Sequence, residues 1–273
     1  MEAYTSFAKV YDTFMDETPY AEWGKRICEM IEKYGVSKPA GDKNPVSEAD
    51  VLASERNLVL DLGCGTGTLT ELLAEAGFDM IGVDNAEEML AIAMEKREES
   101  GSGILYLLQD MRELELYSTV GTVVSVCDSL NYLLEEEELL ETFKQVDNYL
   151  YPGGIFVFDF NTVYKYETVI GDTTIAENRD DCSFIWENYY HPEEEINEYD
   201  LTLFVEEEEG LYRKFTETHY QRGYTLEQMQ KIAKAAGMDW IFAMDADTCE
   251  AVNDCTERVF AVVRECKKQE VRK

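Results

Sequence analysis

The chain has 273 residues, which allows one or two domains with a hydrophobic core of ordinary size and no need of a disulfide or metal for stability. Its 24 lysines and arginines against 57 aspartates and glutamates give a formal net charge of −33, which repels phosphate backbones and argues against nucleic acid as a partner. Hydrophobic residues make up 45% of the sequence, so intrinsic disorder is excluded, and no apolar run reaches the roughly 18 residues that a membrane span needs.

The 7 cysteines and 2 histidines bear on metal binding and on the cellular compartment. The cysteines form no C-x-x-C pair, and His191 and His219 have no zinc-ligand spacing, so we expect no metal. An odd number of thiols, with neither a basic nor an apolar leader at the start, predicts reduced cysteines and a cytoplasmic protein.

The N-terminal part predicts one amphipathic helix and a polar loop. Apolar residues recur at helical spacing over residues 19–34, and Gly35 follows as a helix stop. Residues 37–57 are polar and include Pro39 and Pro45, which indicates a surface loop with room for a short helix capped by Ser47.

From residue 58 onward, predicted strands and helices alternate. The strands are residues 58–62, 80–84, 104–108, 122–127 and 155–160, and the helices are residues 68–76, 87–97 and 136–149. Each strand is nearly all apolar, as expected when helices cover both faces of a parallel sheet. The pattern therefore predicts a doubly wound, Rossmann-like α/β fold with a seven-stranded, mostly parallel sheet.

After the fifth strand the pattern changes to hairpins. Strand-like runs at residues 184–190, 199–205 and 212–220 are joined by glutamate-rich turns, which predicts an antiparallel insertion of three or four strands. A helix at residues 226–236 and strands at 240–244 and 258–263 then resume the first pattern. We expect residues 1–163 and 223–273 to form one domain and residues 164–222 to form an inserted subdomain.

The most informative motif lies where the first strand meets the first helix of the alternation. Residues 59–67 read Val-Leu-Asp-Leu-Gly-Cys-Gly-Thr-Gly, and glycines there let the backbone turn sharply and approach a ligand. The third glycine comes one residue after the second, which differs from the dinucleotide fingerprint G-x-G-x-x-G. The carboxylate of Asp61 would repel a pyrophosphate and suits an ammonium or sulfonium ligand. The alternative is a glycine-rich turn without a ligand.

Over about residues 57–160 this sequence resembles the class I S-adenosylmethionine-dependent methyltransferases. Their first motif is hydrophobic-Asp/Glu-x-Gly-x-Gly-x-Gly, and an acidic residue ends their second strand, where Asp84 stands. The resemblance implies S-adenosylmethionine as cofactor and S-adenosylhomocysteine as product. It also implies that Asp84 binds the ribose hydroxyls, although an aspartate there can instead only cap the next helix.

The same resemblance assigns further residues to the cofactor. The glycine loop contacts its methionine part, Asp84 and its neighbour Asn85 lie at the ribose, and a methionine and the Asp-Met pair after the third strand lie at the adenine. Cys127 at the end of the fourth strand presents its backbone to the cofactor, which we favour over a nucleophilic role. The residues carried over are Asp61, Gly63, Gly65, Thr66, Asp84, Asn85, Met89, Asp110, Met111 and Cys127.

The end of the fourth strand bears on the methyl acceptor. Residues 126–132 read Val-Cys-Asp-Ser-Leu-Asn-Tyr. This is not the Asn-Pro-Pro-Tyr of enzymes that methylate amino groups of bases or glutamine, and no proline precedes Cys127 as in cytosine-5 enzymes. We take Asp128, Tyr132 and His219 as candidates for a catalytic base and Asn131 as an acceptor-binding residue.

Segments on either side of the sheet resemble small-molecule N-methyltransferases of the glycine and sugar-amine type. Their N-terminal segment closes over the cofactor, which implies that Tyr11 and Trp23 meet its carboxylate end, with core packing as the alternative. Their antiparallel insertion forms a lid for the acceptor. On that model Trp186, Tyr189 and Arg222 bind the acceptor. The alternatives are that the aromatic residues are core and that both His219 and Arg222 pair with surface carboxylates.

These patterns predict methyl transfer to a small-molecule nitrogen or oxygen nucleophile by in-line displacement. An RNA or protein methyltransferase and a non-catalytic regulator that binds S-adenosylmethionine are the alternatives. No pattern predicts an oligomeric state.

Overall fold

The computed structural model describes residues 4, 7–39 and 54–268. Most of the predicted 37–57 loop, including the helix cap at Ser47, lies outside these residues.

A seven-stranded sheet forms the centre of the molecule and confirms the predicted fold class. The strands are β1 Leu58–Leu62, β2 Asp79–Asp84, β3 Leu105–Leu108, β4 Val120–Ser125, β5 Leu150–Asn161, β10 Asp239–Asp245 and β11 Arg258–Arg264. Their spatial order is β10-β11-β5-β4-β1-β2-β3. Strands β1 to β5 run parallel, whereas β11 is antiparallel to both β5 and β10.

Helices cover both faces of this sheet. Leu60 of β1 packs in a cluster with Phe143 and Met229, while its neighbour Val59 packs on the other face with Ile27 and Leu73. Successive strand residues therefore enter different cores, which explains why the strands are apolar throughout. The helices are α1 Ala8–Phe14, α2 Tyr20–Tyr34, α3 Thr68–Glu75, α4 Glu87–Ser100, α5 Glu136–Tyr149 and α6 Leu226–Ala236.

A second, antiparallel sheet lies in the chain between β5 and α6. It follows a π-helix at Lys165–Ile170 and has four strands, β6 Thr174–Asn178, β7 Cys182–His191, β8 Ile196–Glu208 and β9 Leu211–Arg222. They lie in the order β6-β7-β8-β9. The inner face of this sheet packs Leu201 and Leu203 against Phe7 and Val10 of the N-terminal segment, which comprises residues 4 and 7–20.

The N-terminal segment joins the two sheets. Helix α1, which the sequence analysis did not predict, presents Val10 to the second sheet and Ala8 to Ala86 and Met89 at the start of α4. The segment is thus fixed on two sides by apolar contacts.

Candidate active site

A cavity of about 540 Å³ opens where the parallel strands end. This is the expected position for a ligand in an open α/β sheet, and the volume falls in the range of small-molecule sites. Most of the predicted cofactor residues and one base candidate line the cavity, namely Tyr11, Asp61, Gly63, Gly65, Thr66, Asp84, Asn85, Met89, Asp110, Met111, Cys127 and Tyr132.

The glycine turn after β1 has a left-handed backbone at Gly63, Gly65 and Gly67, with φ of 79°, 54° and 76°. A side chain at Gly63 would lie 2.6 Å from the hydroxyl of Ser129, and one at Gly67 would lie 2.4 Å from that of Tyr106. A side chain at Gly65 would meet nothing within 4 Å. Two glycines are therefore required by packing, whereas Gly65 leaves open space beside the cavity that a ligand can occupy.

Asp84 at the end of β2 is held by two backbone amides. One carboxylate oxygen accepts from the N–H of Gly65 at 2.8 Å and the other from the N–H of Ala86 at 2.9 Å. Burial raises the pKa of this carboxyl above its ordinary value. Asp84 thus fixes the backbone just before α4, whose N-cap residue Ala86 provides no side-chain cap, and it also lines the cavity.

Two further carboxylates of the cavity differ in their electrostatics. Asp61 is buried and accepts a hydrogen bond from the hydroxyl of Thr70 at 2.6 Å, and burial raises its pKa to about 7. Asp110 is paired with Arg112 at 2.6 Å, and hydrogen bonds from that side chain lower the pKa of Asp110.

The N-terminal segment is bound to the glycine turn by polar contacts. Asp12 accepts a hydrogen bond from the hydroxyl of Thr66 at 2.7 Å and pairs with Lys96 at 2.6 Å. The hydroxyls of Tyr11 and Tyr20 lie 3.8 Å and 3.7 Å from the sulfur of Cys127. Burial raises the pKa of Cys127 to about 11, which opposes a nucleophilic thiolate.

The turn after β4 is fixed by a buried ion-pair network. Cys127 and Asp128 have φ of 63° and 55°, and both of their amides donate to the carboxylate of Asp159, at 3.1 Å and 2.9 Å. Arg258 bridges Asp128 at 2.7 Å and Asp159 at 2.6 Å. These bonds explain why β4 ends at Ser125 and not at the predicted residue 127.

This network involves two residues that the sequence analysis assigned to the site, Asp128 and Trp23. The carboxylate of Asp128 is occupied by Arg258 and by the amide of Gln221, at 2.6 Å, and it does not line the cavity. Trp23 is buried against Phe260, with the guanidinium of Arg258 over its ring, and is not among the residues that line the cavity. Core packing, the alternative for Trp23, is what the structure shows.

The hydroxyl of Tyr132 is the centre of a hydrogen-bonded aromatic cluster. It lies 2.6 Å from the hydroxyl of Tyr4, 2.7 Å from that of Tyr199 and 3.0 Å from Nδ1 of His219. His219 is buried, stacks on Tyr199 and does not itself line the cavity.

The residues assigned to the acceptor do not line the cavity. The side-chain nitrogen of Asn131 donates to the backbone carbonyls of Asn161 and Arg222, and its side-chain oxygen accepts from the backbone amide of Asn161. The guanidinium of Arg222 binds the carboxylate of Glu195 and the carbonyl of Leu134. This arrangement corresponds to the alternative in which Arg222 pairs with a surface carboxylate.

The two aromatic residues of this set lie on β7. Trp186 donates to Asn188 at 2.8 Å and packs on Tyr199, so it belongs to the core of the second sheet. Tyr189 points the other way and is 43% exposed.

Sequence reasoning missed several residues that build the site, namely Tyr4, Tyr20, Glu217 and Arg258. For Glu217 a signal existed, because it precedes His219 by two positions on a strand and therefore shares its face. Arg258 gave none, since its partners lie far away in the sequence.

The comparisons with known proteins agree with this geometry. Residues 59–154 match the model of a methyltransferase domain. The chain is 36% identical to a protein of Geobacillus sp. (strain WCH70) named as a methyltransferase, over 96% of this chain and 99% of that protein. The chain belongs to the S-adenosylmethionine-dependent methyltransferases.

Two crystal structures show the same architecture. An S-adenosylmethionine-dependent methyltransferase from Clostridium acetobutylicum has a TM-score of 0.80 and 28% identity, covering 97% of this chain and 100% of that one. The sugar N-methyltransferase KedS8 from Streptoalloteichus sp. has a TM-score of 0.69 at 18% identity, covering 94% and 93%, which shows the fold alone.

The cavity of this methyltransferase fits its family's cofactor. Open space at Gly65, the acceptor oxygens of Asp84 and the buried carboxylate of Asp61 suit a ligand with hydroxyl groups and positive charge. Within the described ranges, no three His, Cys, Asp or Glu side chains are arranged to hold a metal ion. No helix in that part of the chain is long and apolar enough to cross a membrane.

Proposed function

We propose that this methyltransferase acts on the nitrogen or oxygen of a small molecule. The observation that carries the proposal is the cavity wall formed by the N-terminal segment and the residues after β4, in which four tyrosines take part: Tyr4, Tyr11, Tyr20 and Tyr132. Phenol hydroxyls donate and accept hydrogen bonds, and aromatic rings favour cationic amines, so this wall suits an amine or alcohol.

The residues that line the cavity support an assignment of the cofactor contacts. Asp84 and Asn85 would accept from the ribose hydroxyls, Asp61 would face the positive charge, and Met89 and Met111 would contact the adenine. S-adenosylmethionine supplies a methyl group that its sulfonium activates for displacement. The chain's task is to align the acceptor and to exclude water, which can account for most of such a rate enhancement.

The part of the chain that holds the first sheet and the part that holds the second sheet have different tasks in the proposed reaction. Residues 1–163 and 223–273 form the cofactor-binding domain, and residues 164–222 form a lid that holds the N-terminal segment over the cavity. Apolar contacts of Phe7 and Val10 with the second sheet support this division. A covered cavity favours a small acceptor, and the net charge of −33 opposes RNA.

Ligand titration tests the cofactor. Thermal unfolding is followed with S-adenosylmethionine, S-adenosylhomocysteine and NADH. The adenosyl ligands at 100 times their dissociation constant should stabilise the protein by about 2.7 kcal/mol, whereas NADH should give no shift. A larger effect of NADH would contradict the proposal.

Transfer of radioactive methyl groups tests the acceptor class. The protein is incubated with S-adenosyl-[methyl-³H]methionine and a Bacillus subtilis lysate, which is then separated into small molecules, RNA and protein. We expect label in the small-molecule fraction. Label in RNA or protein would establish the alternative enzyme class, and cofactor binding without transfer in any fraction would indicate a regulator.

A further inference from the structure

Glu217 on β9 binds the N-terminal segment and lies beside His219, one of the candidates for the catalytic base. Its Oε2 accepts from the amide of Tyr4 at 2.9 Å and lies 3.3 Å from Nε2 of His219, while its Oε1 accepts from the amide of Phe7 at 2.9 Å. Glu217 and His219 are 3% and 1% exposed, so these bonds form away from water, where they are strong.

We propose that Glu217 is a positioning residue that links closure of the N-terminal segment to removal of the acceptor's proton. It holds Tyr4 and His219 at the two ends of a proton relay, Tyr4 to Tyr132 to His219. This inference rests on the proposed methyl transfer to a nitrogen or oxygen that carries a proton.

The carboxylate of Glu217 fixes the direction of the relay. Because a carboxylate only accepts, the neutral ring of His219 carries its hydrogen on Nε2, facing Glu217, and its Nδ1 accepts. The hydroxyl of Tyr132 has one hydrogen to donate and an oxygen that accepts two, so it donates to Nδ1 and accepts from its other two neighbours, Tyr4 and Tyr199.

In this arrangement the proton has a continuous path. The acceptor's heteroatom forms its bond to the methyl carbon with its electron pair and releases its proton to the oxygen of Tyr4. The hydroxyl proton of Tyr4 moves to Tyr132, and that of Tyr132 moves to Nδ1 of His219. The imidazolium is balanced by the carboxylate of Glu217. Burial raises the pKa of Tyr4 and Tyr132, so both hydroxyls pass a proton on without storing charge as phenolate.

The surroundings of His219 support this role for Glu217. The rings of Tyr4, Tyr132 and Tyr199 pack around the imidazole, at centroid distances of 5.0, 6.0 and 4.7 Å. The nearby carboxylate of Asp128 is paired with Arg258. Displacement of the N-terminal segment would remove Tyr4 from the relay and two amides from Glu217, so the relay is complete only when the segment covers the cavity.

A nitrogen-15 NMR experiment on the two histidines tests the arrangement without cofactor or acceptor. We expect His219 of the wild-type protein to carry its hydrogen on Nε2, with slow exchange, and Glu217→Gln to shift or broaden that signal. Glu198→Gln is the matched control, because Glu198 pairs with His191 at 2.9 Å on the same sheet and outside the cavity. An Nδ1–H tautomer in the wild-type protein would overturn the relay.

Kinetics at saturating S-adenosylmethionine, with the labelled small-molecule fraction as readout, test the coupling. Glu217→Gln should reduce the rate about 100-fold and keep the cofactor's dissociation constant, because an amide balances the imidazolium formed in the relay less well than a carboxylate. Tyr4→Phe should reduce the rate and keep the cofactor's dissociation constant, since Phe retains the backbone bond to Glu217. Glu198→Gln should keep both the wild-type rate and the wild-type dissociation constant of the cofactor.

The outcomes separate the two proposals. Equal rates and equal nitrogen-15 signals of His219 for Glu217→Gln and Glu198→Gln would contradict the role of Glu217. A wild-type protein that binds no S-adenosylmethionine, or transfers no label, would contradict the proposed function, while the tautomer measurement would still decide the arrangement at His219.

Discussion

The carboxylate of Asp84 accepts the amide hydrogen of Gly65 at 2.8 Å and thereby ties the end of β2 to the glycine turn after β1. The same carboxylate also accepts from Ala86, so one side chain fixes the backbone on two sides of the cavity. The shape of the backbone on these two sides of the cavity therefore depends on a single acidic residue.

Replacement of Asp84 by Asn should weaken S-adenosylmethionine binding about 10-fold or more. The amide group of Asn has one acceptor oxygen, so it cannot accept both backbone hydrogens and also bind hydroxyls. Calorimetric titration measures the effect, and Asp79→Asn at the exposed start of the same strand is the control. Equal affinities of the two variants would contradict the assignment of Asp84.

Asp61 should make the ligand-free protein less stable as pH rises. Its pKa is about 7 in the folded protein against 3.8 as its ordinary value, so the folded state holds the proton over that interval and loses stability between about pH 4 and pH 7. Asp61→Asn should match the wild type near pH 4 and exceed its free energy of unfolding at pH 8 by roughly 2–4 kcal/mol. Urea unfolding at both pH values measures the difference.

A consequence for the cofactor follows from the same carboxyl group. A positively charged ligand favours the ionised form, so affinity for S-adenosylmethionine should rise through pH 7 with release of a proton. Calorimetry in buffers of different ionisation enthalpy detects that proton. In Asp61→Asn both the proton release and the rise in affinity should disappear, and their persistence would show that another group titrates.

Cys127 should resist alkylation. With a pKa of about 11, roughly 0.1% of its thiol is ionised at pH 8, and the side chain lies between two tyrosines. Iodoacetamide followed by mass spectrometry should label the exposed Cys249 and Cys255 long before Cys127. Rapid labelling of Cys127 would instead indicate a reactive thiol.

Removal of Arg258 should destabilise the protein strongly. Arg258→Met leaves Asp128 and the fully buried Asp159 without their partner, and loss of one member of such a network costs about 3–5 kcal/mol. Urea unfolding measures the loss, with Arg213→Met in the exposed hairpin as control. A second substitution, Asp159→Asn, should recover part of the stability. Similar losses in Arg258→Met and Arg213→Met would contradict this account.

The sequence predicts the sheet well because parallel strands are short apolar runs between turn residues. It predicts the second sheet less completely. Strand β6, Thr174–Asn178, is largely exposed at the sheet's edge and has no apolar alternation, so its residues give no clear signal. Helix α1 has seven residues, too few for a periodic pattern to stand out.

The site divides in the same way. The half that the family assigns to the cofactor consists of motifs within a few residues of the strand ends, and the residues that sequence analysis assigned there, such as Asp61 and Asp84, line the cavity. The other half is assembled over long distances, since Tyr4 meets Tyr132 across 128 positions and Glu217 across 213. Spacing along the chain carries no information on such contacts, and Asn131 and Arg222, which were assigned to the acceptor, do not line the cavity.

The position of Arg258 has a consequence for synthesis of the protein. Its bond to Asp128 spans 130 positions, and its strand β11 is inserted between β5 and β10. A nascent chain can form the glycine turn soon after α3 leaves the ribosome, but its β4 turn lacks this cation until translation passes residue 258. The turn after β4, which carries the cavity residue Cys127, is therefore completed late. A stalled chain would expose the carboxylates of Asp128 and Asp159 without their cation.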